Sequence, residues 1–132
     1  MALQFSTALR DAQNDAITAA VGAAGFLEIF DGALPATCAT PSAGTKLSKH
    51  TLGSPFAPAS SGGVLSPTVP ADVNALAAGT AGYWRVFASD DTTCVVQGTV
   101  SVTSGDLVLS TLTVLLGEPV HILSWAWTAG NA

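Results

Sequence analysis

Apolar positions in the first 25 residues recur at the spacing of a helix. They form one stripe along that helix, namely Leu9, Ala12, Ala16, Ile17, Ala20, Val21 and Ala24. Ser6 or Thr7 suits the N-cap, and Gly22 or Gly25 suits the C-terminal end. The pattern therefore predicts an N-terminal helix with a thin, mostly alanine face, which packs either on its own domain or on a partner.

From Gly25 onward the period changes from helical to two, which is typical of strands. The predicted segments are a strand at 26–31, a loop at 33–44, a strand at 45–52, a loop at 53–63 and an extended stretch at 64–73. In the first strand Leu27 and Ile29 share one face. The second strand carries Lys46 and Lys49, and lysine is typical of a strand at the edge of a sheet.

The second half of the chain alternates more regularly. It predicts strands at 81–89, 93–102, 107–116 and 120–128, joined by turns at Asp90-Asp91, Ser104-Gly105-Asp106 and Gly117-Glu118-Pro119. In the first of these strands Tyr83, Arg85 and Phe87 face away from Trp84. Gly98 indicates a bulge in the second.

One helix followed by seven or eight strands, spaced about ten residues apart, predicts a mainly β protein. Such spacing is typical of an antiparallel β-sandwich or barrel. The chain shows no internal repeat and no linker. We therefore expect a single domain over 1–132, with an N-terminal arm and helix at 1–25 and the β-sandwich at 26–132.

Charge is unusually sparse in this chain of 132 residues. Charged residues make up 10% of it, against roughly 25% in an ordinary soluble domain, and nine acidic against four basic residues give a net charge of -5. Nucleic-acid binding needs a basic stripe, which is missing, and no apolar run is long enough to span a membrane. The start of the chain shows no leader pattern, so we expect synthesis in a host cytoplasm. A surface with so few charged residues is typical of one that partner proteins cover.

Residue types that carry catalysis are few. His50 and His121 have no partner at metal-ligand spacing, and we expect the first on an exposed, lysine-flanked strand and the second beside a turn. Asp90 and Asp91 are adjacent carboxylates, but neighbours in a turn point apart. Glu28 facing inward would stand alone, without the second carboxyl that acid–base catalysis requires. The sequence predicts no enzyme, no cofactor and no metal site.

Cys38 and Cys94 are the two cysteines of the chain. Both can meet in a sandwich, where a bridge would close a long loop. Cytoplasmic synthesis keeps thiols reduced, so two free cysteines that behave as small apolar residues are the favoured interpretation. The disulfide stays open as the alternative.

Three tryptophans offer two interpretations. Trp125 and Trp127 lie two apart on the last strand and share a face, and together with Trp84 and Tyr83 they would make an aromatic platform for a sugar. Large aromatic residues on one face of a sheet more often fill a core or a subunit contact. The favoured interpretation is therefore a core or a contact.

In order along the chain, several segments resemble a family of small virion structural proteins of tailed bacteriophages. They are Leu9-Arg10-Asp11 with the helix end at 17–22, Leu27-Glu28-Ile29-Phe30-Asp31-Gly32 followed by the Pro-Ala loop at 34–36, the stretch 54–65 that begins Ser54-Pro55-Phe56, the strand start Ala81-Gly82-Tyr83-Trp84-Arg85-Val86-Phe87, and the turn into the last strand at 117–128. The resemblance covers nearly the whole chain as a pattern. It implies a jelly-roll sandwich that acts as a capsid cement, or decoration, protein.

The leading hypothesis is thus a non-enzymatic protein on the outer surface of a capsid, bound to the major capsid protein and to itself as a dimer or trimer. Candidate contact regions are the N-terminal segment 1–10, the loops at 33–44 and 53–63, and the C-terminal end. The candidate interface residues are Leu3, Phe5, Leu9, Phe56, Trp125 and Trp127. Two alternatives are a tail or baseplate protein, and a carbohydrate-binding jelly-roll that recognises a host.

Overall fold

A computed structural model describes residues 4–103 and 106–128 of the chain. It contains the predicted N-terminal helix, α1, at Thr7–Val21. Ser6 caps the helix, because its Oγ accepts a hydrogen bond from the backbone N–H of Leu9 at 3.2 Å. Gly22 ends it with a positive φ of 71°, a conformation that glycine adopts without steric cost. The expected cap and end are confirmed.

The helix packs on its own domain, but through only part of the predicted stripe. Val21 of the stripe is buried and Ile17 packs against the core, whereas Ala12, Ala16 and Ala20 are exposed and Asn14 is buried in their place. Polar contacts decide this orientation: Asn14 Nδ2 donates to Gly63 O at 2.9 Å and to Ser60 Oγ at 3.0 Å. A buried amide requires such partners, and alanine offers little area to outweigh them.

Eleven strands follow the helix in the described residues. They are β1 Phe26–Asp31, β2 Lys46–Thr51, β3 Val64–Leu65, β4 Val73–Asn74, β5 Gly79–Phe87, β6 Cys94–Ser101, β7 Leu107–Leu109, β8 Thr113–Val114, β9 Pro119–Val120, β10 Ile122–Trp125 and β11 Trp127–Thr128. The two strands predicted at 107–116 and 120–128 are each broken into shorter ones. The shorter strands on the two sides of each break pair with different neighbouring strands. The alternation of apolar and polar residues does not predict where such a break occurs.

The main sheet has the strand order β10-β7-β6-β5-β1-β2, with β8 also paired to β5. Two small sheets, β11-β3 and β4-β9, complete the fold. β2 lies at the edge, as its lysines predicted. The result is a mainly β protein with one curled, mixed sheet, instead of the two packed antiparallel sheets that we expected. The part of the chain that is described contains no helix long and apolar enough to cross a membrane.

The sheet is mixed because β6 and β7 run parallel, with Val100 opposite Leu107 and Ser101 opposite Val108. The hairpin expected at Ser104-Gly105-Asp106 is therefore wrong, although two of its three residues lie outside the described chain. A turn signal predicts a change of direction, but it does not determine which strand the chain joins next. Antiparallel pairing holds for β1–β2, β1–β5 and β5–β6.

The core lies on the inner face of the β2-β1-β5-β6 part of the sheet. It contains Leu27 and Ile29 of β1 together with Trp84 of β5, as the alternation predicted. Gly98 forms no bulge, because it pairs in register with Trp84. The irregularity in this strand pair lies instead between Val86 and Phe87. Gly98 gives the Trp84 ring room: a Cβ there would stand 2.8 Å from Trp84 Cζ2.

We expect Gly98→Ala to lower the free energy of unfolding by about 2 kcal/mol, since the added methyl group forces a buried indole out of its packed position. Urea denaturation monitored by tryptophan fluorescence measures the loss. Gly53→Ala is the control, because the nearest atom to its added Cβ stands 3.5 Å away. Equal effects of the two substitutions would contradict the packing explanation.

Candidate functional site

The outer face of the sheet is covered by the loop between β1 and β2, residues 32–45. Tyr83 Oη donates to Ala43 O at 2.5 Å and accepts from Ala43 N at 2.9 Å. Gln97 Nε2 donates to Pro35 O at 2.8 Å. The segment predicted as a surface loop is thus held against β5 and β6 by these hydrogen bonds.

A disulfide between Cys38 and Cys94 makes this attachment covalent. The sulfur atoms are 2.05 Å apart, and the Cα atoms are separated by 5.4 Å. The expectation of two free cysteines is wrong. That expectation was based on the reducing conditions of a cytoplasm. The pairing results instead from the β1–β2 loop, which folds back over the start of β6 and brings Cys38 next to Cys94.

A cavity of about 440 Å³ lies between this loop and the sheet. It will be called the strap cavity. Its walls come from β1, the loop, β2, β5, the turn after β5 and the start of β6. The lining residues are Glu28, Phe30, Cys38, Ala39, Thr40, Pro41, Ser42, Lys46, Arg85, Phe87, Asp91, Thr92 and Cys94.

Two carboxyl groups meet at this cavity, each bound to a lysine. Lys46 Nζ stands 3.1 Å from Glu28 Oε1, and Lys49 Nζ stands 2.6 Å from Asp91 Oδ2. The other oxygens, Glu28 Oε2 and Asp91 Oδ1, are buried without another hydrogen-bond partner. A single proton held between the two carboxyls gives both oxygens a partner.

The pKa values agree with such a shared proton. Burial, followed by the hydrogen bond to Asp91, raises the pKa of Glu28 to about 7. The hydrogen bond from Glu28 lowers the pKa of Asp91 from its ordinary value. Glu28 is therefore the carboxyl that holds the proton, and Asp91 the one that stays ionised.

The expectation that Glu28 stands alone is wrong because of the turn after β5. Asp90 and Asp91 point apart, as predicted: Asp90 accepts hydrogen bonds from Thr93 and Thr92 within the turn, while Asp91 reaches across to Glu28. One signal in the sequence hinted at this site. Glu28 lies between large apolar residues in its strand, and Arg85 does so in its own strand. Such a strand is typically covered on both faces, so a charged residue within it becomes buried.

Arg85 is buried beneath the loop, directly opposite Glu28 in the β1–β5 register. Its Nε donates to Gln97 Oε1 at 3.0 Å, Nη1 to Ser42 Oγ at 3.1 Å and Nη2 to Thr37 O at 3.1 Å. These bonds tie the loop to the sheet. The same side chain lines the strap cavity.

Both histidines lie outside the cavity lining. His50 is fully buried, so the expected exposed position is wrong: it pairs with Leu27 in register, on the core side of the sheet. Its Nδ1 donates to Ala71 O at 3.1 Å, and burial lowers its pKa. His121 is exposed beside the turn, as predicted, with Nδ1 2.7 Å from Asp72 Oδ1.

The tryptophans form a packed cluster with Phe56. Ring centroids of Trp84 and Trp127 are 5.8 Å apart, as are those of Trp84 and Trp125. Trp84 and Trp125 are buried in the core, and Trp127 is half-buried against it. A sugar platform needs exposed ring faces, so this arrangement favours the core interpretation.

The structure distributes the six candidate interface residues widely. Phe56 and Trp125 are buried in the hydrophobic core, where their ring centroids are 5.8 Å apart. Trp127 and Phe5 are half-buried. Leu9 is exposed, and Leu3 lies outside the described residues.

Three exposed leucines, which sequence reasoning missed, lie on two segments that backbone hydrogen bonds join, and they will be called the leucine patch. They are Leu76, Leu115 and Leu116, with 55%, 53% and 70% of their surface exposed. Ala75 O accepts from Gly117 N at 3.0 Å, and Ala75 N donates to Glu118 O at 2.7 Å, which holds the two segments together. Alternation did not single them out, because the turn that brings them together is tertiary.

No family model, curated protein or solved structure matches this chain. Among the described residues, no group of three or more histidine, cysteine or acidic side chains is arranged to hold a metal ion.

Proposed function

We propose that this chain is a non-enzymatic structural protein of a tailed-phage particle, acting as a capsid cement protein. In this role it binds the outer surface of the assembled shell as a dimer or trimer and bridges neighbouring capsomers. A protein that binds the assembled shell and not its free subunits stabilises the shell by mass action.

The leucine patch carries this proposal. Leu116 is 70% exposed, and Leu76 and Leu115 on the same pair of hydrogen-bonded segments are about half exposed, in a chain in which only 10% of residues are charged. Contiguous exposed apolar surface marks an interaction site, and interface centres are depleted of charge. Further support comes from the resemblance of the sequence to small virion structural proteins of tailed bacteriophages. A distant relationship of this fold to their jelly-roll sandwich is part of the proposal.

Co-sedimentation with capsids of the same phage that lack this protein tests the role. We expect saturable binding at a fixed ratio to the major capsid protein, together with a higher melting temperature of the capsid. Binding to tails instead of capsids would support the tail or baseplate alternative. No binding to any part of the particle would overturn the proposal.

The Leu115→Gln/Leu116→Gln variant tests the patch itself. Losing the burial of these two exposed leucines at the interface costs about 2 kcal/mol, so we expect capsid affinity to fall about 30-fold. Val102→Gln is the control, because Val102 is also exposed, at 45%, but lies directly after β6, outside the leucine patch and the candidate contact regions. If the control loses as much affinity as the double variant, the loss is not specific and the assignment to the leucine patch is wrong.

A further inference from the structure

Arg85 is a buried cation without a counter-ion. Only 2% of its surface is exposed, and all three of its hydrogen-bond acceptors, on Gln97, Ser42 and Thr37, are neutral. In the described part of the chain, no ion pair involves Arg85. Buried charges in proteins are normally paired, so this arrangement requires an explanation.

Neither nearby carboxyl forms an ion pair with Arg85 in the part of the chain that is described. Glu28 faces Arg85 across the strand pair, but its Oε1 is bound to Lys46 and its other oxygen shares a proton with Asp91. Three of the chain's four basic residues thus converge on this face, around two carboxyls that hold one proton.

Arg85 also lines the strap cavity. Arg85 has five N–H donors, and its three bonds leave one donor on each of Nη1 and Nη2. A carboxylate accepts such a pair of donors with two oxygens. Lys46 lines the same cavity, and Phe30 and Phe87 provide an apolar wall. A volume of about 440 Å³ lies within the range of small-molecule sites.

We propose that the strap cavity binds a small organic carboxylate, whose charged group pairs with Arg85 and Lys46 and whose apolar part lies against Phe30 and Phe87. The site is independent of the proposed role on the capsid, because it lies under the β1–β2 loop and not at the leucine patch. Either proposal can fail while the other holds.

Isothermal titration calorimetry of the intact, oxidised protein tests the site with three probes: benzoate, benzamide and inorganic phosphate. We expect saturable 1:1 binding of benzoate, weaker binding of phosphate and none of benzamide, which has the same ring without the charge. Equal affinity for phosphate and benzoate would overturn the organic class of ligand. Failure of benzoate to bind would overturn the site.

Arg85→Gln should weaken benzoate binding at least tenfold. Arg10→Gln is the matched control: it removes the same charge from the one basic residue that does not belong to this face. Circular dichroism of both variants checks that they are folded. Equal losses of affinity would show a non-specific charge effect and overturn the assignment to Arg85.

Glu28→Gln tests the same site while leaving Arg85 in place. At pH 8 the native carboxyl opposite Arg85 is ionised and competes with the ligand, and glutamine removes that negative charge. We expect benzoate to bind several-fold more tightly to this variant than to the native chain at pH 8. Weaker or unchanged affinity would contradict the proposed position of the ligand.

Discussion

Replacing both Cys38 and Cys94 by serine is expected to lower the free energy of unfolding by about 4 kcal/mol. The bridge joins residues 56 apart in sequence, and closing a loop of that length removes a large part of the entropy of the unfolded chain. The loss is a large fraction of the stability of an ordinary domain, which is about 5–15 kcal/mol. Urea unfolding of the oxidised native chain and of the double variant measures the difference.

Reduction provides the matched control for this prediction. The native chain treated with a thiol reductant should unfold at the same urea concentration as the double serine variant, and the variant itself should not respond to the reductant. If reduction leaves the native midpoint unchanged, the bridge contributes nothing to stability. The loop would then be held by the hydrogen bonds of Tyr83, Arg85 and Gln97 alone.

Glu28→Gln is expected to stabilise the protein by about 3 kcal/mol at pH 8 and by almost nothing at pH 4.5. The pKa of Glu28 rises from 4.5 to about 7 on folding, chiefly because of burial, so the folded state binds the proton more tightly than the unfolded state. Stability from this group is therefore fully present below pH 4.5 and is lost as the pH rises to 7. Glutamine imitates the protonated acid: it accepts from Lys46 and donates to Asp91 at any pH.

The measurement is the difference in unfolding free energy between variant and native chain from pH 4.5 to pH 8. Taking the difference cancels the contribution of His50 to the pH dependence. Because its pKa is lowered on folding, His50 acts in the opposite direction: the stability that its neutral imidazole contributes is lost as the pH falls below 6.5. Asp90→Asn is the control, since Asp90 lies in the same turn but does not contact Glu28. A Glu28→Gln effect that is equal at pH 4.5 and pH 8 would contradict the shared proton.

Local patterns determined the elements whose signals lie within a few residues. The Ser6 cap and the Gly22 end of α1, the strand at Phe26–Asp31 and the opposite faces of Trp84 and Arg85 all follow from neighbouring side chains. Each depends on capping or on a period of two or 3.6 residues, which a single segment carries by itself. Composition likewise indicated a chain with little charge on its surface.

Tertiary structure alone decided every feature that joins distant segments. These are the buried face of α1, the parallel pairing of β6 and β7, the Cys38–Cys94 bridge, and the meeting of Glu28 with Asp91. Each brings together residues that are far apart in sequence, and such contacts leave no periodic pattern along the chain. They form only when the whole chain packs. The strap cavity belongs to this second group, because a loop, a turn and four strands have to come together before it exists.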